Sequence, residues 1–443
     1  MSAARLFALF AILLTLAPAD TPSSPFPLSV SASGRHLADR SGTPLLVVGD
    51  TAWSLIAQLN EADIARYLDD RAGRGFNAII VNLIEHKFAS HAPNNLAGVS
   101  PFLSPGDFAH PNPAYFDYAH AAVAEANRRG IAVWLCAAYL GWDGGDEGFF
   151  KEIKAAGPAA LRQYGRFVGE RFKDLPNIVW MMGGDFALSA SERWAGGELA
   201  AGLREGGATQ LMTAHGGETS GVETYGQQPW LAIDTVYTYK DDLRPQLLDA
   251  RARQPIRPFV LIETIYEGEH DAKPEHIRRQ SWTAMLSGAA GQFFGNNPIW
   301  HFDGPTLFPA PDTWSDALDN PGSRDMTRLG SFLREHRWAD LEPTQDPVAT
   351  MAGNTPGVPA PVSAATSDIA LTIVYVPSLG TVPHAVVVDP KRLARVSSAM
   401  WFNPAKDGAL VDTNFHRHPN GTLWTPGDNG TNAGDWVLVL QAK

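Results

Sequence analysis

Asn177-Ile-Val-Trp-Met-Met-Gly-Gly-Asp185 and Pro258-Phe-Val-Leu-Ile-Glu263 decide how this chain is read. Each is an apolar, β-prone run that stops at a carboxylate. Parallel strands buried on both faces have this continuous apolar pattern. Working outward, six more runs share it: Leu45–Gly49, Ala78–Leu83, Ala132–Ala138, Gln210–Ala214, Thr235–Tyr239 and Gly291–Phe294. With Ile178–Met182 and Phe259–Ile262 they make eight strand candidates. Amphipathic stretches alternate with them: Glu61–Arg74, Pro113–Arg129, Gly157–Lys173, Ser191–Glu205, Leu243–Arg253, Pro274–Leu286 and, after the last strand, Ser323–Glu335. Asn60 before Glu61 and Asp63 reads as a helix cap with an acidic first turn. Eight strand–helix units over ~250 residues predict a closed (β/α)8 TIM barrel. An open doubly wound sheet fits less well, because no Gly-rich dinucleotide turn follows the first strand.

The pattern changes near Glu342, so the barrel is expected over residues 26–342 and a second domain over 343–443. Residues 343–366 are rich in Pro, Gly, Thr and Ala and read as a linker. Short alternating runs follow, Ile369–Val376, His384–Asp389, Ser398–Phe402 and Trp436–Leu440, split by turn signals such as Asn420-Gly421. They predict a small antiparallel β-sandwich. At the other end, Arg5, the apolar run Leu6–Ala17 and Ala17-Pro-Ala19 form a signal-peptide pattern over residues 1–19, with cleavage expected after Ala19. A secreted or periplasmic protein with no membrane attachment after cleavage is the expectation. Cys136 is the single cysteine, so no internal disulfide can form; inside an apolar run it reads as core.

A formal net charge of −12 without clustered Lys or Arg argues against a nucleic-acid partner. There is no H-E-x-x-H, no His-x-His on the first strand and no Cys cluster, so neither metal nor other cofactor is expected. G-x-S-x-G and phosphate-loop motifs are also missing. Thirteen tryptophans suit a carbohydrate site, where flat rings stack on sugars, although most aromatic rings in any fold serve the core.

Active sites of such barrels form at the carboxyl ends of the strands. Asp185 after the fourth strand and Glu263 after the seventh would face one another across the mouth. Glycoside cleavage needs an acid for the leaving oxygen and a second carboxylate as nucleophile or base, so these two are the catalytic candidates. Gly183-Gly184 would allow a sharp turn and close substrate approach. Candidate sugar-binding residues from the other strand ends are Asp50, Trp53, Asn82, Trp142, His215, Tyr237, Tyr239, Tyr266, Asn296 and Trp300. Glu218 and Glu267 are rival carboxylates.

Gly49-Asp-Thr-Ala-Trp53, Gly183-Gly-Asp185 and Ile262-Glu263 resemble the apiosidase-like glycoside hydrolases, a family formerly described as a domain of unknown function. Its members join such a barrel to a collagen-binding-type β domain, and the resemblance spans nearly all of residues 26–443. It implies Asp185 as acid/base and Glu263 as nucleophile in a retaining mechanism, acting on plant or bacterial polysaccharide or oligosaccharide side chains. Related barrel glycosidases usually carry Asn-Glu where this chain, like the apiosidase-like enzymes it resembles, has Gly184-Asp185; the sugar does not carry over, because fold and catalytic pair do not fix it. An exported carbohydrate- or matrix-binding protein on an inactive barrel is the competing reading.

Overall fold

The computed structural model describes residues 24–352, 359–417 and 420–442. The expected signal segment lies outside the described residues. No helix among the described residues is long and apolar enough to cross a membrane.

Eight parallel strands form the central sheet: β1 Val47–Thr51, β2 Ala78–Asn82, β3 Ala132–Tyr139, β4 Ile178–Gly183, β5 Met212–His215, β6 Asp234–Tyr237, β7 Phe259–Glu263 and β8 Gly291–Phe294. Their order is β5-β4-β3-β2-β1-β8-β7-β6. The ring closes between β5 and β6 with help from side chains. Ala232 N–H donates to Met212 O at 2.9 Å, Thr213 Oγ1 to Ile233 O at 2.8 Å and Thr235 Oγ1 to Ala214 O at 2.6 Å. Threonine hydroxyls there satisfy carbonyls that a regular ladder would have taken. The result is the (β/α)8 barrel read from the sequence.

The α-helices of five or more described residues are α1 Glu61–Gly73, α2 Pro113–Arg128, α3 Phe150–Phe172, α4 Trp194–Glu205, α5 Gly221–Tyr225, α6 Arg244–Ala252, α7 Pro274–Leu286 and α8 Pro321–Glu335. Asn60 caps α1, accepting the Asp63 N–H at 3.0 Å. The third helix starts at Phe150, ahead of the expected Gly157; Gly157 interrupts it with φ 81° and Pro158 resumes it. The five-residue α5 carries too little periodicity to be seen in the sequence.

Two apolar layers hold the barrel. Val47, Ile80, Trp134, Cys136, Met181, Val260, Ile262 and Phe293 fill its interior. Cys136 is fully buried there, and burial pushes its thiol up in pKa. A small three-stranded sheet, Ser29–Val30, Leu37–Ala38 and Pro44–Leu45, precedes β1, and its Leu37 joins the same interior cluster as Phe26. The second layer lies between strands and helices.

The C-terminal strands form two antiparallel sheets. The larger contains β9 Leu341–Pro343, β11 Val362–Thr366, β12 Leu371–Val376, β14 Val396–Phe402, β15 Val411–Asp412 and β17 Trp436–Ala442. The smaller contains β10 Ala349–Met351, β13 Ala385–Val388 and β16 Thr422–Trp424. Val374, Val376, Val386, Trp401 and Leu438 make the core between them. The opposite face of the larger sheet, with Ile373, Tyr375 and Val437, packs on Trp282 and Met285 of α7 and Phe332 of α8. The linker reading of 343–366 is thus corrected: β10 and β11 lie in it. Three residues of strand show no readable alternation, and the Pro/Gly composition outweighed the strand Val362-Ser-Ala-Ala-Thr366.

Candidate active site

Asp185 follows β4, and Glu263 ends β7. The turn that delivers Asp185 requires glycine. Gly183 has φ 104°, and a Cβ there would sit 2.0 Å from His215 O; one on Gly184 would sit 2.7 Å from the Tyr139 ring. The glycine pair therefore lets β4 pass close to β5 while turning Asp185 into the mouth.

His215, at the end of β5, stands between the acids. Its Nε2 is 2.7 Å from Glu263 Oε2; its Nδ1 is 3.0 Å from Gly216 O and 3.4 Å from Asp185 Oδ1. Ligand atoms of all three residues lie within 4.8 Å of one another. A carbonyl only accepts, so Nδ1 carries a proton and donates to Gly216. Donation from Nε2 to an ionised Glu263 makes the ring an imidazolium. Burial opposes that charge, but the Glu263 hydrogen bond and the Asp185 charge outweigh it and hold the His215 pKa up at about 9. Burial and then the Glu263 charge push Asp185 up to about 7, against the pull of His215 and of the Tyr139 hydroxyl, which donates to Oδ2 at 3.0 Å. Asp185 therefore keeps a proton up to about neutral pH, while Glu263 faces a cation. A proton donor and a nucleophile need that division of roles. Among the described residues these three side chains also bring ligand atoms close enough to hold a metal ion, which would have to displace the His215 proton.

The acids open into a pocket of about 100 Å³. Trp53, Tyr139, Tyr239, Tyr266 and Trp300 wall it, Phe88, Leu307 and Phe308 add apolar surface, and Asn82, Glu147 and Glu269 add polar groups. Hydrogen bonds fix the indoles: Trp53 Nε1 donates to Tyr266 Oη at 3.0 Å, and Trp300 Nε1 to Glu269 Oε1 at 2.8 Å. Such aromatic faces beside two carboxyls suit a sugar ring. A wider cleft of about 800 Å³ between barrel and β domain is lined by Asp241, Asp242 and Asp249, Asp241 being bound by Arg279 at 3.0 Å, but no tryptophan lines it.

The family description "Apiosidase-like, catalytic domain" matches residues 31–340. The chain belongs to the apiosidase-like family. It is a glycoside hydrolase. No curated protein sequence matches it. Among solved structures it is similar to a glycoside hydrolase at 24% identity and TM-score 0.77, covering 95% of this chain and 98% of that one. A glycoside hydrolase family 5 protein from Bacteroides vulgatus ATCC 8482 is similar at 22% identity and TM-score 0.77, covering 95% of both chains. At these identities the likeness is one of fold.

In this apiosidase-like barrel, Trp53, Asn82, Tyr239, Tyr266 and Trp300 line the pocket with Asp185 and Glu263. Five other candidates do not, His215 among them, which is fully buried behind the two acids. Asp50 is a correction: it points outward, fully buried, with Arg71 Nε at 2.7 Å, Tyr67 Oη at 2.8 Å and the Thr51 N–H at 3.0 Å occupying its oxygens. Asn296 is another. Its Nδ2 donates to Glu267 Oε2 at 2.9 Å, and Glu267 Oε1 accepts the Gly322 N–H at 2.9 Å, so the pair ties β8 to α8. Tyr237 packs beside His215, ring centres 5.2 Å apart, outside the lining. Trp142 lies on a short 3-10 turn, 65% exposed and outside the lining. Of the rival acids, Glu267 is the tie just described and Glu218 stays outside the pocket. Tyr139, legible in the sequence as the end of the third strand but given no role there, lines the pocket and holds Asp185. The sequence reading omitted Glu147, Glu269, Phe88, Leu307 and Phe308, which sit in loops without periodic signal.

Proposed function

We propose that this enzyme is an exported, retaining, exo-acting glycosidase that removes a terminal furanose, apiose or a close relative, from a polysaccharide or oligosaccharide side chain. The observation that carries the reading is the Asp185–His215–Glu263 set, with its protonated acid and its imidazolium-bound carboxylate. Oxygen atoms of the two acids within 4.8 Å of one another favour retention, for which ~5 Å is typical. Inversion needs ~6.5–9.5 Å to admit a water.

In the first step Asp185 gives its proton to the glycosidic oxygen as that oxygen leaves C1. Glu263 attacks C1 from the opposite face and forms a glycosyl ester. Asp185, now a carboxylate, takes a proton from a water whose oxygen attacks C1 and releases Glu263. Two inversions give net retention. Tyr139 holds Asp185 in place, and His215 holds Glu263.

Pocket size supports exo action on one ring. The acids sit at the base of a small pocket of about 100 Å³, closed on its sides by Trp53, Tyr139, Tyr239, Tyr266 and Trp300. Export is inferred from Arg5, Leu6–Ala17 and the Ala17-Pro-Ala19 site. A barrel that only held sugar would have no use for a protonated acid opposite a cation-bound carboxylate.

The test is Asp185→Asn and Glu263→Gln against a glycoside with a sugar leaving group. Each should lower kcat/KM by about 10²–10⁴-fold or more while leaving the melting temperature near wild type. Near-wild-type turnover by either variant would sink the assignment. Aryl apiofuranosides, arabinofuranosides and rhamnosides form the panel that identifies the sugar.

A further inference from the structure

We propose that Glu269 reads the sugar: its carboxylate accepts hydrogen bonds from hydroxyls of the glycosyl unit held between Asp185 and Glu263. This rests on the catalytic reading above and extends it to specificity.

Glu269 follows β7 and is only 5% exposed, yet it lines the pocket. Its surroundings differ from those of the other buried acids. Asp50 has Arg71, Asp234 has Arg253, and Asp325 and Asp435 share Arg278. Glu85 is saturated without a cation, accepting from Ser54 Oγ, Asn82 Nδ2 and the backbone N–H groups of His86, Lys87 and Phe88. Glu269 has neither. Among the described residues no cation pairs with it, and Trp300 Nε1 is its one side-chain donor. Among the described residues its Oε2 accepts no hydrogen bond, and the side chain lines the pocket. Burial, with the Glu263 charge added, pushes the group up to about 7.

Buried polar groups are nearly always satisfied, and an exception in a cleft calls for a ligand. Glu269 lacks donors, and sugar hydroxyls are donors. The group is also preorganised. The indole N–H of Trp300 fixes one oxygen, and Trp300 is itself held edge-on by Phe88, ring centres 5.0 Å apart. Glu269 follows β7 and its anchor Trp300 follows β8, so both stand across the ring from β4 and Asp185. Asp185 meets the leaving group; Glu269 therefore meets the glycone.

The experiment uses the full chain and whichever aryl apiofuranoside, arabinofuranoside or rhamnoside the wild type turns over fastest, together with its monodeoxy analogues. Glu269→Gln still accepts the Trp300 N–H but carries no charge; Glu269→Ala removes the group. We expect kcat/KM to fall about tenfold or more for Glu269→Gln and about 10²-fold or more for Glu269→Ala, at unchanged melting temperature. With the analogue that lacks the recognised hydroxyl, wild type and both variants should converge to within about threefold. Near-wild-type activity of Glu269→Gln would overturn the proposal and leave Glu269 as packing for Trp300. An equal loss on every deoxy analogue would overturn it as well. Asp185→Asn, run in parallel, should lose activity on every substrate. Activity there, with the Glu269 convergence intact, would refute the catalytic reading and spare this one.

Discussion

Asp185 and His215 together set how the enzyme should respond to pH. Asp185 must be protonated to act as the acid, and burial with the Glu263 charge holds its pKa at about 7. Protonated acid is thus present below that value and lost above it, so kcat/KM should fall about tenfold per pH unit on the alkaline side. The His215 cation pulls Asp185 down. His215→Gln should therefore move this limb to higher pH while lowering the maximum; a limb that stays or moves down would contradict the ion arrangement. Both acids were legible in the sequence because each interrupts an apolar run at a strand end. Glu269 was not, because a loop carboxyl acquires meaning only when its neighbours are seen to leave it unpaired.

At the scale of strands and helices, the number and type of barrel elements were readable because strands buried on both faces stay apolar throughout. The same property hid which way each polar residue points. Asp50 lies on β1 beside Val48, on the helix-facing side, where Val48 joins the cluster under α7 and α8. There its carboxylate matches Arg71 of α1, which also donates to Leu318 O at 3.3 Å and Ser323 Oγ at 3.2 Å. Asp50→Asn leaves the buried guanidinium with Asp70, 3.1 Å from Nη1 and partly exposed, as its one remaining carboxylate, at a cost of about 1–3 kcal/mol. The melting temperature should fall by several degrees with KM unchanged. A raised KM at unchanged melting temperature would return Asp50 to the sugar site.

Across the whole molecule, the β domain is fastened to the barrel by apolar packing and by one buried ion cluster. Arg278 of α7 meets Asp435 at 2.7 Å and Asp325 of α8 at 2.9 Å; Tyr375 Oη and Asn429 Nδ2 also donate to Asp435, at 3.1 and 2.7 Å. This gives the buried Asn429 a structural role. Asp435→Ala removes the shared acceptor and should cost about 3–5 kcal/mol, read as a lower melting temperature with kcat/KM at 25 °C retained. Full thermal stability in that variant would mean the cluster does not fasten the domains. None of this could be read from sequence, because Arg278 and Asp435 are 157 positions apart.

The most direct test of the central claim, Glu263 as nucleophile opposite Asp185 as acid, is azide rescue. Glu263→Gly is incubated with an activated aryl glycoside and azide, and the product's anomeric configuration is read by proton NMR. The account predicts restored turnover and a glycosyl azide of configuration opposite to the substrate. A glycosyl azide of retained configuration, or no azide adduct beside undiminished hydrolysis, would contradict it.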